Sequence, residues 1–106
     1  MATGRLGTAN LAAATNTTVY TVPSTTFTVA TLSVCNRSNS AITCRVAVSS
    51  TATPAVDEWI EFETELLPKA VLERTGLVMD AGKYLVVYTS AANVSAVAFG
   101  IETPTA

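Results

Sequence analysis

Apolar and polar residues alternate with a period of two over several short stretches, the pattern of strands with one buried face. Residues 26–35 place Phe27, Val29, Thr31 and Ser33 on one side and Thr28, Ala30, Leu32 and Val34 on the other. Residues 42–49 set Ile42, Cys44, Val46 and Val48 against Thr43, Arg45 and Ala47, half apolar and half wet, which predicts a strand of an antiparallel sheet. Residues 59–65 alternate strictly, with Ile60, Phe62 and Thr64 pointing one way and Trp59, Glu61, Glu63 and Glu65 the other. Further β-type runs at 17–22, 71–79, 84–90 and 94–101 bring the total to seven or eight strands. Turn chemistry separates them: Pro23, the cluster Asn36-Arg37-Ser38-Asn39-Ser40, Pro54, Pro68-Lys69 and Asp80-Ala81-Gly82-Lys83. Two hairpins are expected, one around residues 36–40 and one around Ala91-Ala92-Asn93.

Residues 1–16 lack this alternation and carry Gly4 and Gly7, so they read as an N-terminal arm with one weak helical turn near residues 10–14. The tail at 103–106 reads as unpaired. A single β domain over residues 17–102 remains, and regular strand spacing without a convincing helix predicts an antiparallel β-sandwich, jelly-roll or Ig-like. Its core is expected to draw on Tyr20, Leu32, Val34, Val46, Ile60, Phe62, Leu72, Leu85, Val87, Val97 and Phe99.

A chain of 106 residues supports one modest core, burying about 65% of the surface its extended form exposes. Eighteen threonines, 13 valines and 17 alanines suit a pleated, half-buried surface. Only 13% of residues are charged, against about 25% in ordinary soluble domains. Such a bland surface suits a protein whose faces are covered by copies of itself or by other proteins. A formal net charge of −2 argues against nucleic acid as a partner. No apolar run approaches the ~20 residues of a membrane helix, and no continuous apolar segment at the N-terminus suggests a signal peptide.

The candidate chemistry is thin. The chain has no histidine, which removes the commonest general base and metal ligand. Cys35 and Cys44 are equidistant from a turn centre between Asn39 and Ser40, so a simple hairpin would bring them within bridging range. A disulfide clamp and a pair of packed free thiols both fit; with no sign of secretion, free thiols are favoured. Glu61, Glu63 and Glu65 line one face of their strand, as the carboxylates of a Ca²⁺ site would. Same-face neighbours on a strand sit about 7 Å apart with no encircling loop, so a solvated face, or a patch meeting a basic neighbour, is the better reading. No triad and no phosphate-cradling loop is present. The expectation is a non-enzyme with no catalytic residue, no cofactor and no metal.

The segments TGRLGTANLAAATNTTVYTVP, VCNRSNSAITCRVAVS and EWIEFETELLPKAVLERTGLVMDAGKYLVVYTSAANVSAVAFGIE resemble a family of small virion proteins of tailed bacteriophages, particularly phages of cyanobacteria and marine bacteria. The resemblance spans nearly the whole chain. Its most specific elements are residues 16–23, Leu72-Glu73-Arg74-Thr75-Gly76 and Asp80-Ala81-Gly82-Lys83. It implies a capsid decoration (cement) protein that binds the head shell, made in the host bacterial cytoplasm and carried in the virion. Its partners would be the major capsid protein or other virion proteins, and a homo-oligomer is implied, a trimer before other symmetries. A tail, collar or fibre module is the alternative within the class; a secreted Ig-like adhesin domain is the alternative outside it. For attachment, Arg5 as a charged hook and Leu6 and Leu11 as apolar anchors are the expected arm residues.

Overall fold

The computed structural model describes residues 3–105; Met1 and Ala2 of the expected arm and Ala106 of the expected tail lie outside them. Eight strands follow in chain order: β1 Thr3–Leu11, β2 Thr17–Thr21, β3 Thr26–Asn36, β4 Ile42–Ser49, β5 Trp59–Leu66, β6 Val71–Met79, β7 Tyr84–Thr89 and β8 Val94–Pro104. Among the described residues the single helical element is a 3-10 turn at Val56–Glu58. The strands form two four-stranded antiparallel sheets, ordered β1-β8-β3-β6 and β2-β7-β4-β5. The chain is an all-β sandwich, as the alternation predicts. First pairs with last throughout, β1 with β8, β2 with β7, β3 with β6 and β4 with β5, which is the nested order of a jelly roll.

That nesting overturns both expected hairpins. β3 and β4 belong to different sheets, as do β7 and β8, so residues 37–41 and 90–93 cross between layers; only β4 and β5 are both consecutive and paired. Asn36 makes the first crossing possible. Its side-chain amide donates to the carbonyls of Ser40, Leu66 and Leu67 while its Oδ1 accepts from the backbone and hydroxyl of Ser38. A polar residue thus binds the end of β3, the loop and the end of β5 in place of a hairpin ladder.

The expected arm is a strand. β1 pairs with β8 from Thr3 opposite Ile101 to Leu11 opposite Val94, with a bulge at Leu6. Leu11 is 2% exposed, and no helix forms at residues 10–14. Gly7 permits this docking: a Cβ there would lie 2.2 Å from the Val19 carbonyl oxygen of β2. The expected free tail is also paired, Thr103 with Phe27 and Pro104 with Thr26.

Tyr20, Leu32, Val34, Val46, Leu85 and Val87 are buried as expected, and Ile60 and Leu72 pack partly buried against them. Phe62, Val97 and Phe99 are corrections: Phe62 is 58% and Phe99 39% exposed, and Val97 is half-buried. β8 turns Val94, Ala96 and Ala98 inward instead. Between the layers the Tyr20 hydroxyl on β2 bonds Thr28 on β3 and donates to the Glu102 carboxylate on β8. Burial first, and the hydrogen bond to Glu102 second, push the Tyr20 phenol up to about 12. Among the described residues no buried polar side-chain atom lacks a hydrogen-bond partner.

Candidate functional site

The acidic strand does not present the face the alternation suggests. Along β5 the register with β4 slips twice: Thr64 opposes Cys44 and Glu61 opposes Val46, so Phe62 and Glu63 together face Arg45. Glu63 takes up the extra residue with φ of 52°. A bulge of this kind re-aims side chains, and here it separates the three carboxylates. Glu63 grips Arg45 through two bonds of 3.0 Å, Nε to Oε2 and Nη2 to Oε1. Glu61 instead reaches the other sheet, accepting from Arg74 Nη1 at 2.8 Å and from the Thr64 hydroxyl. Glu65 is exposed. Among the described residues no cluster of three His, Cys, Asp or Glu side chains could hold a metal ion.

Arg45 sits in an aromatic box. Its guanidinium lies 4.4 Å from the Phe62 and Tyr88 ring centres and 5.9 Å from that of Trp59. Beside it, Arg45, Val56, Trp59 and Phe62 line an open hollow of about 480 Å³. The Arg45 guanidinium beside Glu63 holds that carboxyl below its ordinary range. Nothing lining the hollow is a nucleophile or a base, so it offers contact surface and no proton transfer.

The outer side of this sheet is otherwise well covered. Ala47 and Val86, which alternate outward, are fully buried. The segment after β4 is tied down by Glu58, whose carboxylate accepts from the backbone of Ala55 and Ser50 and from the Ser49 hydroxyl. Those donors, the Ala55 amide foremost, hold its pKa below the usual carboxylate value.

The outer side of the β1-β8-β3-β6 sheet is different. Val78, Val29 and Ile101 are register neighbours across β6, β3 and β8, and Phe27 and Phe99 flank that row on either side. All five are between 37% and 70% exposed. An apolar row that crosses three strands of a small domain is the kind of patch that marks an interaction site. Arg5 lies on this face, opposite Phe99 on β8. The other expected arm anchors do not: Leu11 is in the core and Leu6 packs partly buried against it. Val78, Ile101 and Phe99 escape a sequence reading that looks for one apolar face per strand. The available signal was β8 itself, where Val94, Ala96 and Ala98 alternate with Val97, Phe99 and Ile101, so both faces are apolar. Strands covered on both sides carry that pattern.

The two thiols are not bridged. Cys35 is half-buried on β3 and Cys44 fully buried on β4, both free and in different sheets. Burial, with smaller contributions from the charges of Glu61 and Glu63, pushes the Cys44 thiol up to about 11. A disulfide reagent at neutral pH is expected to titrate one thiol of the native protein and two after denaturation without reductant. No titratable thiol in the denatured sample would show a Cys35–Cys44 disulfide and contradict the free thiols of this structure.

Compared with models of protein families, with curated proteins and with solved structures, the chain finds no match.

Proposed function

We propose that this chain is a non-enzymatic structural protein of a tailed-bacteriophage particle, a decoration protein that coats the head shell as a homo-oligomer. The observation that carries the reading is the bare apolar side of the β1-β8-β3-β6 sheet, on a sandwich in which, among the described residues, every buried polar side-chain atom has a partner. A fold that leaves five large apolar side chains in water on one flat face is built to have that face covered. The resemblance of residues 16–23, 72–76 and 80–83 to small virion proteins supports the same class. Jelly rolls recur in viral shells and in lectins, so the topology agrees by analogy. Enzymatic readings lose support because the chain has no histidine and because Glu61 and Glu63, two of its candidate carboxylates, are committed to arginines. The secreted adhesin reading loses the disulfide it called for, since Cys35 and Cys44 are both free thiols.

The partner surface would be the major capsid protein or a neighbouring virion protein. Co-sedimentation of the purified protein with empty phage heads, and separately with tails, tests this. Saturable binding to heads is expected. Binding to tails alone would move the protein to the tail, collar or fibre, and binding to neither would overturn the reading.

A further inference from the structure

We propose that the outer face of the β1-β8-β3-β6 sheet packs on the same face of a second copy of this chain, about a two-fold axis running along the strands. The inference names the partner of the bare face and so builds on the assembly reading, but it can be tested on the isolated protein.

Charge placement is the first argument. Arg5 and Glu73 stand on opposite edge strands of this sheet, β1 and β6. Arg5 shares a row with Phe99 and Thr31, and Glu73 pairs with Ser33, one same-face position along. That is an offset of about 7 Å along the strands and about 14 Å across them. Arg5 is the one basic side chain, among the described residues, with neither a hydrogen bond nor an ion pair; Arg37, Arg45, Lys69, Arg74 and Lys83 all have partners. Glu73 likewise has no ion pair within the chain, whereas Glu61, Glu63 and Asp80 do. A two-fold through the middle of the sheet turns β1 of one copy over β6 of the other. It therefore brings each Arg5 over the partner's β6, one same-face position (about 7 Å) along the strands from the partner's Glu73, twice by symmetry. Sheets stacked face to face lie about 10 Å apart, so with the offset along the strands the two backbones stand about 12 Å apart, a span that an extended arginine and a glutamate side chain close between them. The apolar residues fall between the two ion pairs, an arrangement of dry centre and charged rim.

Size and closure are the second argument. Strands of 9, 11, 11 and 9 residues make up the sheet. At about 3.4 Å per residue and 4.8 Å per strand the face measures on the order of 600 Å², close to the ~800 Å² per partner of a standard interface. Pairing this face with the other outer face of the sandwich would be heterologous. The two outer faces point in opposite directions, so that contact would propagate as an open stack, whereas the same-face contact closes on itself. A closed two-fold departs from the three-fold implied by the family resemblance.

Sedimentation equilibrium over micromolar concentrations tests the pairing. The wild type is expected at twice the 11.0 kDa of the chain. Arg5→Glu and Glu73→Arg are each expected to weaken the dimer by about tenfold or more, and the double charge swap to restore it to near wild-type affinity. Val29→Glu, in the centre of the face, is expected to give a monomer with an unchanged far-UV spectrum; because Arg5 and Glu73 are exposed, the swap remains decisive if Val29→Glu does not fold. A monomer at every concentration, a trimer, or a double variant no tighter than the single ones would overturn the proposal. None of these outcomes bears on whether the protein sediments with heads, so the two readings fail separately.

Discussion

Deleting residues 3–15 is expected to abolish cooperative folding, not to release a tether. β1 is hydrogen-bonded along β8, and its removal exposes that edge over most of the length of β8. The deletion also takes Leu11 out of the core, together with the packing of Leu6 and Ala9 against it. Losing a fully buried leucine alone costs about 2–5 kcal/mol, and domains of this size hold only about 5–15 kcal/mol in total. Two partly buried apolar residues and a whole strand ladder go with it. The truncated chain should show no sigmoidal thermal transition where the full chain shows one. A truncated protein that melts at the full chain's temperature would mean that β1 is an appendage, with its attachment to the body contributing nothing.

Gly100→Ala is expected to be the most damaging single-atom addition in the sheet. Gly100 on β8 pairs with Gly4 on β1 and with Ala30 on β3. A Cβ there would stand 2.1 Å from the Val29 carbonyl oxygen and 2.8 Å from the Ala30 Cα. Both obstacles are backbone, so no rotamer change relieves them, and β8 must part from β3 in the middle of their ladder. Overpacking a well-filled core costs about 1–3 kcal/mol when side chains can yield; without that relief about 3 kcal/mol or more is expected. At roughly 4–8 °C per kcal/mol in a domain of this size, the melting temperature should fall by about 12 °C or more. Ala98→Gly on the same strand, which adds nothing, separates this effect from a general intolerance of β8 to change. A Gly100→Ala protein that melts within a degree or two of wild type would contradict the close approach of β8 to β3.

Strand content and layer number are readable in the sequence because period-two alternation is local. β3 is the clearest case: its odd-numbered residues from Phe27 to Cys35 face out and its even-numbered residues from Thr28 to Asn36 are buried. Connection order is not local. A short turn-rich segment such as residues 37–41 reads as a hairpin, and what makes it a crossing is the bonding of Asn36 to β5, some 30 residues away. β1 was missed for a related reason. Gly4, Gly7 and the bulge at Leu6 break its alternation, yet Gly7 is what allows its backbone to reach β2. On β8, bulk misled: Val97 and Phe99 are larger than Ala96 and Ala98, but the small residues fill the narrow space between the layers and the large ones face out. The acidic row of Glu61, Glu63 and Glu65 failed as a site because the bulge in β5 cannot be seen without its partner strand. Of the residues on the candidate interaction face, Arg5 alone is marked by the sequence as a contact residue, and by its charge, whereas Phe99 reads as core.

Weighing the chain in the particle decides whether it serves as a coat component of a phage head. Virions purified from a phage whose genome is found to carry this sequence would be separated into heads and tails, and the protein in each fraction quantified by mass spectrometry against the major capsid protein. The account predicts that the chain is found with the heads, at a fixed ratio to the capsid protein that repeats between preparations. Its absence from purified virions, or its recovery only as a trace without a fixed ratio, would contradict the account.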